Sequence, residues 1–138
     1  MIIVGSKDIG PTRYILEYLK NIKDVYWVKT KKNNLLIKNF KQLKKYKEAK
    51  SNLILTGSCI GNGLDKSLII HGRKKGIKTA SFVEHWSLLK ERFLLKKNTF
   101  LKPDYLFVID EDTKKFYIKK LGFKSKKIFV IGNNYLAK

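Results

Sequence analysis

The residues best suited to chemistry stand together at Glu84, His85 and Trp86, with Arg92 a few positions further on. Glutamate and histidine side chains can exchange protons with a substrate, and an indole ring offers a flat surface for stacking. Arg92 can pair with Glu84 or bind a phosphate group of a ligand. This combination predicts a site in which His85 or Glu84 is the catalytic base and Trp86 and Arg92 bind substrate. The alternative is a buried tryptophan beside a helix-capping glutamate.

Two glycine-containing stretches, residues 5–10 and 56–63, could also bind a ligand. Glycine lets the backbone approach a ligand closely, and N–H groups at the start of a following helix attract anions. The second stretch also suits a nest for a phosphate or a sugar hydroxyl. The first is neither a dinucleotide-binding motif nor a P-loop, and a plain strand-to-helix turn is the alternative for each. The residues of these stretches expected to bind substrate are Gly5, Ser6, Gly10, Gly57, Ser58 and Gly61.

Other reactive side chains have simpler structural explanations. Asp110, Glu111 and Asp112 suggest a metal site, but Asp112 is expected to cap a helix and Glu111 to complement its dipole. Cys59 lies in a turn where a small apolar side chain usually packs, and His71 falls within a helix. Because Cys59 is the only cysteine, a disulfide within the chain and a cysteine-rich zinc site are excluded. We predict no metal and no cofactor.

These candidate residues need a scaffold that brings the ends of several strands together. Short, continuous apolar runs alternate with helical segments, which is typical of a parallel sheet covered by helices on both faces. Ligands of such sheets bind beyond the carboxyl ends of the strands. The predicted strands are Met1–Val4, Val25–Val28, Leu53–Thr56, Ile77–Glu84, Tyr105–Ile109 and Ile128–Ile131.

The predicted helices are marked by proline, acidic caps and terminating glycines. They run from Pro11 to Ile22, from Leu64 to Lys75 before Gly76, and from the cap at Asp112 to Gly122. A further, amphipathic helix is expected over Asn39–Lys50, where Phe40, Leu43 and Tyr46 are three apart and lysines fill the other face. The stretch His85–Lys97 is expected to be a loop with one or two helical turns.

The predicted fold class is therefore α/β. We expect a single Rossmann-like domain over residues 1–138, with three layers in α/β/α order and a mostly parallel sheet of about six strands. The amino terminus lacks the features of a secretory signal, and no stretch approaches the ~20 apolar residues that span a bilayer. We expect a cytoplasmic protein, at most peripheral to the inner face of the membrane.

The chain is strongly basic, with 31 Lys and Arg residues against 11 Asp and Glu residues and a net charge of +20. Such a charge favours anionic partners, among them nucleic acid, an anionic membrane surface, and phosphorylated molecules or glycans. Nearly all the basic residues are lysine, whereas proteins that read nucleic acid usually use arginine. Nucleic acid is therefore the less favoured partner. A solvated surface shaped by an AT-rich genome explains the charge equally well.

Five short motifs follow one another in order along the later part of the chain. They are Thr-Gly-Ser at 56–58, Arg-Lys-Lys-Gly-Ile-Lys at 73–78, Phe-Val-Glu-His-Trp at 82–86, Lys-Pro-Asp-Tyr-Leu-Phe-Val at 102–108 and Lys-Ile-Phe-Val-Ile-Gly-Asn-Asn at 127–134. Together they resemble the amino-terminal half of GT-B glycosyltransferases and of the related UDP-sugar epimerases and hydrolases. The first 50 residues match that family only in the order of their elements.

The resemblance implies a half-domain that shapes the acceptor side of a glycosyltransferase for cell-surface glycan or polysaccharide. His85 or Glu84 would be the base that deprotonates an acceptor hydroxyl. Because that family holds its nucleotide sugar mainly in a second Rossmann domain, the expected partners are a nucleotide sugar, a glycan or lipid-linked acceptor, and that second domain. The chain ends where the second domain would begin. We therefore expect a fragment, one subunit of a split enzyme, or a stand-alone relative.

Two other functions stay open at this point. A basic Rossmann-like module could bind a nucleotide or nucleic acid, although Tyr26, Trp27 and Tyr46 do not alternate with basic residues. A small stand-alone hydrolase of nucleotide sugars could use His85 and Glu84 alone. Lysines of the predicted helix over residues 39–50 could hold the domain against anionic lipid.

Overall fold

Most strands of the chain pair in one parallel sheet. The computed structural model describes residues 1–132, and its strands are β1 (Ile2–Gly5), β2 (Val25–Val28), β3 (Gln42–Leu43), β4 (Leu53–Thr56), β5 (Lys78–Val83), β6 (Leu94–Lys96), β7 (Thr99–Phe100), β8 (Tyr105–Val108) and β9 (Ile128–Val130). Seven of them pair in the order β3-β2-β1-β4-β5-β8-β9, always in parallel. β6 and β7 form a separate antiparallel hairpin. The connections from β1 and from β4 run in opposite directions along the sheet, which creates a crevice between these two strands.

Three α-helices connect the strands of the large sheet. They are α1 (Ile9–Leu19), α2 (Leu64–Lys75) and α3 (Glu111–Leu121). Two of them end as predicted at a glycine in the left-handed conformation, with φ of 69° at Gly76 and 74° at Gly122. Within residues 1–132, no helix combines the length and the apolar character needed to cross a membrane.

The helices lie on both faces of the sheet. Successive residues of a strand point to opposite faces, so their packing partners show which helix covers which side. Val4 packs in the core under α1, whereas its neighbour Ile3 packs with Leu68 of α2. Val83 of β5 packs with Tyr117 of α3, while the preceding residue of β5 belongs to the core under α1. α1 therefore covers one face and α2 and α3 cover the other, which makes three layers.

The fold prediction is confirmed in its class and in its strands. All six predicted strands are present, with ends that differ by at most one residue from the prediction. The seventh, β3, lies within the segment predicted to be an amphipathic helix. The last residues of the final predicted motif, Asn133 and Asn134, lie outside the described residues.

The helix predicted over Asn39–Lys50 is wrong. This segment contains β3, which pairs with β2, and a short 3-10 turn at Tyr46–Glu48. Phe40 packs in the core under α1, whereas Leu43 packs in the core under α2, so residues three apart serve opposite faces. The lysine-bearing helix expected to face anionic lipid is therefore not formed.

Two smaller predictions also need correction. The N-cap of α3 is Asp110 instead of Asp112, since Asp110 Oδ1 accepts a hydrogen bond of 2.8 Å from the backbone N–H of Thr113. The helix starts directly after β8, so the next two acids fall in its first turn. The stretch His85–Lys97, expected to be a loop with one or two helical turns, contains one 3-10 turn at Glu91–Phe93, and β6 of the hairpin follows this turn.

Candidate functional site

Three loops meet at the carboxyl edge of the sheet, as the strand order requires. They follow β1, β4 and β5, which lie side by side. Ser6 in the first loop contacts Cys59 in the second, with 3.7 Å between Oγ and Sγ. Arg92, beyond the third loop, donates from Nη1 to Ser58 Oγ in the second at 3.2 Å. The predicted grouping of these loops is therefore present.

The carboxylate of Asp65 occupies the space between the first two loops. One of its oxygens accepts from the backbone N–H of Lys7 at 2.7 Å, and the other accepts from the backbone N–H of Cys59 at 3.0 Å. Asp65 lies in the first turn of α2 and is buried. These backbone donors are the kind that would bind a phosphate. The nest predicted at the glycine loop is therefore filled by a side chain of the protein itself.

The glycines beside this carboxylate are explained by close packing. A Cβ atom on Gly57 would lie 2.5 Å from Ser6 Oγ and 2.8 Å from Asp65 Oδ2. A Cβ atom on Gly5 would lie 2.5 Å from Leu68 Cδ1 of α2. The absence of a side chain at both positions thus lets α2 and Asp65 approach the sheet.

The other residues predicted to bind substrate in these loops differ in their access to solvent. Ser6 and Ser58 are buried, and Ser58 Oγ donates to the carbonyl of Phe82 at 2.8 Å. Gly61 is exposed, with φ of 80°, and Gly10 is an exposed residue in the first turn of α1. A substrate role for the buried pair would require the loops to move.

Lys66 stabilises the second loop through hydrogen bonds from its ammonium group. Its side chain is buried, and its ammonium group donates to the carbonyls of Cys59 and Gly61. Burial, together with the charge of Lys7, lowers the pKa of the Lys66 ammonium group. Sequence reasoning missed Lys66 and Asp65, because an acid and a lysine at a helix start usually lie on its solvated side. The adjacent glycines were the only signal of a close approach.

Glu84 and Arg92 form a largely buried ion pair beneath the third loop. Arg92 Nη1 lies 3.2 Å from Glu84 Oε1, and the Arg92 side chain is only 7% exposed. The same guanidinium group donates from Nε to the carbonyl of Ser87 at 3.1 Å. Of the two partners expected for Arg92, Glu84 or a ligand phosphate, the structure shows Glu84. It fixes both the start and the middle of the loop that carries His85 and Trp86.

Tyr117 gives this loop a second anchor. Its hydroxyl donates to the carbonyl of Leu89 at 2.8 Å, and its ring is buried in the core under α3. Burial is the main cause of a raised pKa at the Tyr117 hydroxyl, so this group remains a hydrogen-bond donor at physiological pH. The sequence offered no sign of this contact, which joins residues 28 positions apart.

His85 and Trp86 stack on one another at the outer surface of the loop. Their ring centroids are 4.3 Å apart and their planes are inclined by 19°. The Trp86 side chain is 60% exposed, so the alternative of a buried tryptophan is wrong. One face of this aromatic pair is a flat, solvent-facing surface on an anchored loop.

The hydrogen bonds of His85 define which of its ring nitrogens carries the proton. The backbone N–H of Ser87 donates to His85 Nδ1 at 3.1 Å, and Ser87 Oγ lies 2.8 Å from the same atom. Since a backbone N–H can only donate, Nδ1 is the acceptor and the neutral ring is protonated at Nε2. In this arrangement Nε2–H is a hydrogen-bond donor toward a ligand.

The remaining reactive groups do not extend this site. Burial is the main cause of a pKa of about 12 at the Cys59 thiol, with the Asp65 carboxylate adding to it, so Cys59 is a poor nucleophile at neutral pH. Among residues 1–132, no cluster of three or more His, Cys, Asp or Glu side chains has the arrangement of a metal site. Asp110, the first of the three acids considered for metal binding, is engaged as the cap of α3.

Comparisons with protein-family models, curated proteins and solved structures found no match to this chain. The likeness to GT-B enzymes therefore rests on the sequence motifs alone. The structure adds a parallel sheet with three neighbouring loops at its carboxyl edge. It also adds the exposed rings of His85 and Trp86, on a loop that the Glu84–Arg92 ion pair holds in place.

Proposed function

We propose that this chain is the acceptor-side domain or subunit of a GT-B-like glycosyltransferase that assembles cell-surface glycan or polysaccharide. The observation that carries this proposal is the exposed Trp86 ring, stacked on His85 at the carboxyl edge of a parallel sheet. Ligands of open α/β sheets bind at this edge. An indole face is an apolar surface that suits the C–H face of a sugar ring.

The polar groups around Trp86 suit an acceptor sugar. His85 Nε2–H is placed to donate to a sugar hydroxyl beside the stacked ring. A base role needs the other tautomer, with the proton on Nδ1 and a lone pair on Nε2. Ser87 Oγ, at 2.8 Å from Nδ1, supports that tautomer by accepting its N–H, at the loss of the bond from the Ser87 backbone. His85 is therefore the group that we assign to deprotonation of an acceptor hydroxyl.

Glu84 is better suited to positioning than to proton transfer. Its carboxylate is engaged by the guanidinium group of the buried Arg92, at 3.2 Å between Oε1 and Nη1. Within this proposal, Glu84 and Arg92 hold the loop in the shape that presents His85 and Trp86.

The filled nest supports an acceptor role over a donor role. A nucleotide sugar brings a diphosphate, which needs unpaired backbone donors or fixed cations. The donors between β1 and β4 are already engaged by Asp65. A partner carrying the second Rossmann domain would then supply the donor site, as in the family that the sequence resembles.

Tryptophan fluorescence tests the proposed acceptor site. The chain has two tryptophans, of which Trp27 is fully buried and Trp86 is exposed, so a ligand at the loop changes the emission of Trp86 alone. Oligosaccharides should change the emission of the native chain in a saturable way and leave that of Trp86→Phe unchanged. Trp86→Ala should raise the dissociation constant for glycan, measured by calorimetry, by about tenfold or more. Leu35→Ala, on another loop and also exposed, is the matched control.

Three outcomes would contradict the acceptor-side proposal. The first is glycan binding that Trp86→Ala leaves intact, and the second is no glycan binding at all. The third is hydrolysis of nucleotide sugars by the isolated chain that is lost in His85→Ala, which would favour the stand-alone hydrolase. Binding to DNA or RNA that falls steeply with salt would instead support the nucleic-acid module.

A further inference from the structure

A second candidate site lies away from the aromatic pair, between α2 and the 3-10 turn at Tyr46–Glu48. These elements enclose a groove of about 380 Å³. Because α2 runs back from the carboxyl edge of the sheet, its later turns border this groove far from Trp86. The polar and aromatic residues that line it are Tyr46, Lys47, Ser67, His71, Lys74 and Lys75.

His71 presents a buried polar atom without a partner in this groove. The residue is only 7% exposed, and among residues 1–132 its Nε2 is the one buried side-chain nitrogen or oxygen that makes no hydrogen bond. Its ring meets the ring of Tyr46 edge to face, at 5.4 Å between centroids, which supplies no hydrogen-bond acceptor. Buried polar atoms are almost always paired, so this unpaired nitrogen calls for an explanation.

Three lysines place positive charge around that atom. Lys74 and Lys75 lie in the last turn of α2, and Lys47 faces them from the 3-10 turn. None of these lysines takes part in the ion pairs seen within the described part of the chain. The nearest acid in sequence, Glu48, lines a neighbouring groove that Lys47 and Lys75 also border.

Lysines in a last helical turn are often explained by the helix dipole alone. Helix α3 shows that case, because its last turn carries Lys119 and Lys120. The groove beside α2 differs because it also contains the unpaired His71 nitrogen and the Ser67 hydroxyl. Dipole compensation does not account for an unpaired imidazole nitrogen beside three lysines.

We propose that this groove binds a phosphate group, either as inorganic phosphate or as the phosphate monoester of a small molecule. The oxygens of a phosphate accept several hydrogen bonds at once, so they match the Ser67 hydroxyl and the lysine ammonium groups that line the groove. The His71 ring adds a further donor in the tautomer that is protonated at Nε2, once the ring turns toward the groove. Its double negative charge balances much of the local positive charge. This site is separate from the glycan-binding loop, and either can exist without the other.

Proton NMR of the histidine rings tests the phosphate site directly. His71 and His85 are the only histidines, so the native chain gives two imidazole Cε1–H signals, which His85→Asn assigns. Phosphate is added at pH 7, with sodium chloride adjusted to keep ionic strength constant. The His71 signal should shift and saturate, while the His85 signal stays in place. Glycerol phosphate is the second probe, and tighter binding than inorganic phosphate would identify a monoester as the ligand.

Paired lysine variants separate a built site from general attraction to a basic protein. Lys74→Gln/Lys75→Gln should raise the dissociation constant for phosphate by about tenfold or more. Lys119→Gln/Lys120→Gln removes the same charge from the last turn of α3 and should leave phosphate binding within about twofold of the native value. Ser67→Ala tests the groove again without touching a charge or the buried ring.

The proposal is overturned if neither probe gives a saturable shift of the His71 signal. It is also overturned if chloride produces the same shift, or if the two lysine pairs weaken binding equally. A shift that Ser67→Ala and Lys74→Gln/Lys75→Gln both leave unchanged would likewise place the phosphate elsewhere.

Discussion

At the scale of single residues, Asp65 joins the loops after β1 and β4 through two backbone hydrogen bonds. Its carboxylate takes the position that an anion would take in a nucleotide-binding sheet. Sequence patterns give glycines in this region two meanings, ligand approach or close packing. The structure favours close packing at Gly5 and Gly57, whose missing side chains make room for Leu68 and Asp65.

Removal of the Asp65 carboxylate should destabilise the protein. We expect Asp65→Ala to lower the free energy of unfolding by about 3 kcal/mol, because a buried N–H group of Cys59 and a partly buried one of Lys7 lose a charged acceptor. Glu111→Ala, at an exposed acid in the first turn of α3, should cost at most about 1 kcal/mol. Urea denaturation followed by circular dichroism measures both. Equal losses would show that Asp65 acts only through the helix dipole.

The Cys59 thiol should be unreactive in the folded protein. With a pKa of about 12, it is almost entirely protonated at pH 8, and its burial also blocks access. Labelling by a chromogenic disulfide reagent should therefore be slow in buffer and fast in guanidinium chloride at a concentration that unfolds the chain. Rapid labelling of the native chain would restore Cys59 as a candidate nucleophile.

At the scale of elements, the strands were predictable and the irregular segments were not. Short apolar runs such as Leu53–Thr56 gave strands with correct ends, because a strand buried on both faces must be continuously apolar. Gly76 and Gly122 marked helix ends correctly for the same kind of local reason. These signals are contained within a few neighbouring residues.

Prediction failed where tertiary contacts decide the structure. The spacing of Phe40, Leu43 and Tyr46 fits a helix, yet Phe40 and Leu43 pack on opposite sides of the sheet. Residue types alone were enough to identify the candidate site residues Glu84, His85, Trp86 and Arg92. The filling of the nest by Asp65 could not, since it depends on how closely α2 approaches β1.

The corrected start of α3 leads to a prediction at the same scale. Asp110→Ala should lower the free energy of unfolding by about 1 kcal/mol, because the N–H of Thr113 loses its capping acceptor. Asp112→Ala should cost less than half as much, as it removes only a charge near the helix start. Thermal melts of both variants compare the two positions. The reverse order would return the cap to Asp112.

At the scale of the whole molecule, the main electrostatic feature is an excess of basic side chains. The chain has 31 basic and 11 acidic side chains, and three of the acidic ones, Asp65, Glu84 and Asp110, are engaged in contacts within the protein. The surface is therefore rich in lysine and strongly positive, which favours the binding of anions in general. In the two proposals above, specificity comes from fixed groups, which are Trp86 in one and His71 in the other.

His71 should make the stability of the whole molecule depend on pH. Burial, and then the charges of Lys75, Lys47 and Lys74, lower the pKa of His71 below the ordinary value of 6.5. The unfolded chain therefore takes up a proton at a higher pH than the folded chain does. Stability should fall as the pH drops through about 6.5 and below.

The His71 contribution is isolated by comparing urea denaturation at pH 7.5 and pH 5.5. His71→Gln should lose part of the pH dependence, and the part that is lost is the contribution of the buried imidazole. If His71→Gln keeps the native pH dependence, the buried imidazole does not control it.

The internal carboxylate between β1 and β4 also has a consequence for protein engineering. Asp65→Gly would expose the N–H groups of Lys7 and Cys59, with the Lys66 ammonium group nearby. This single substitution would create an anion-binding site. Small carboxylates such as formate or acetate fit the position of the lost side chain. If these ions restore the stability of the variant, its folding depends on the concentration of the anion, and the variant acts as an anion sensor.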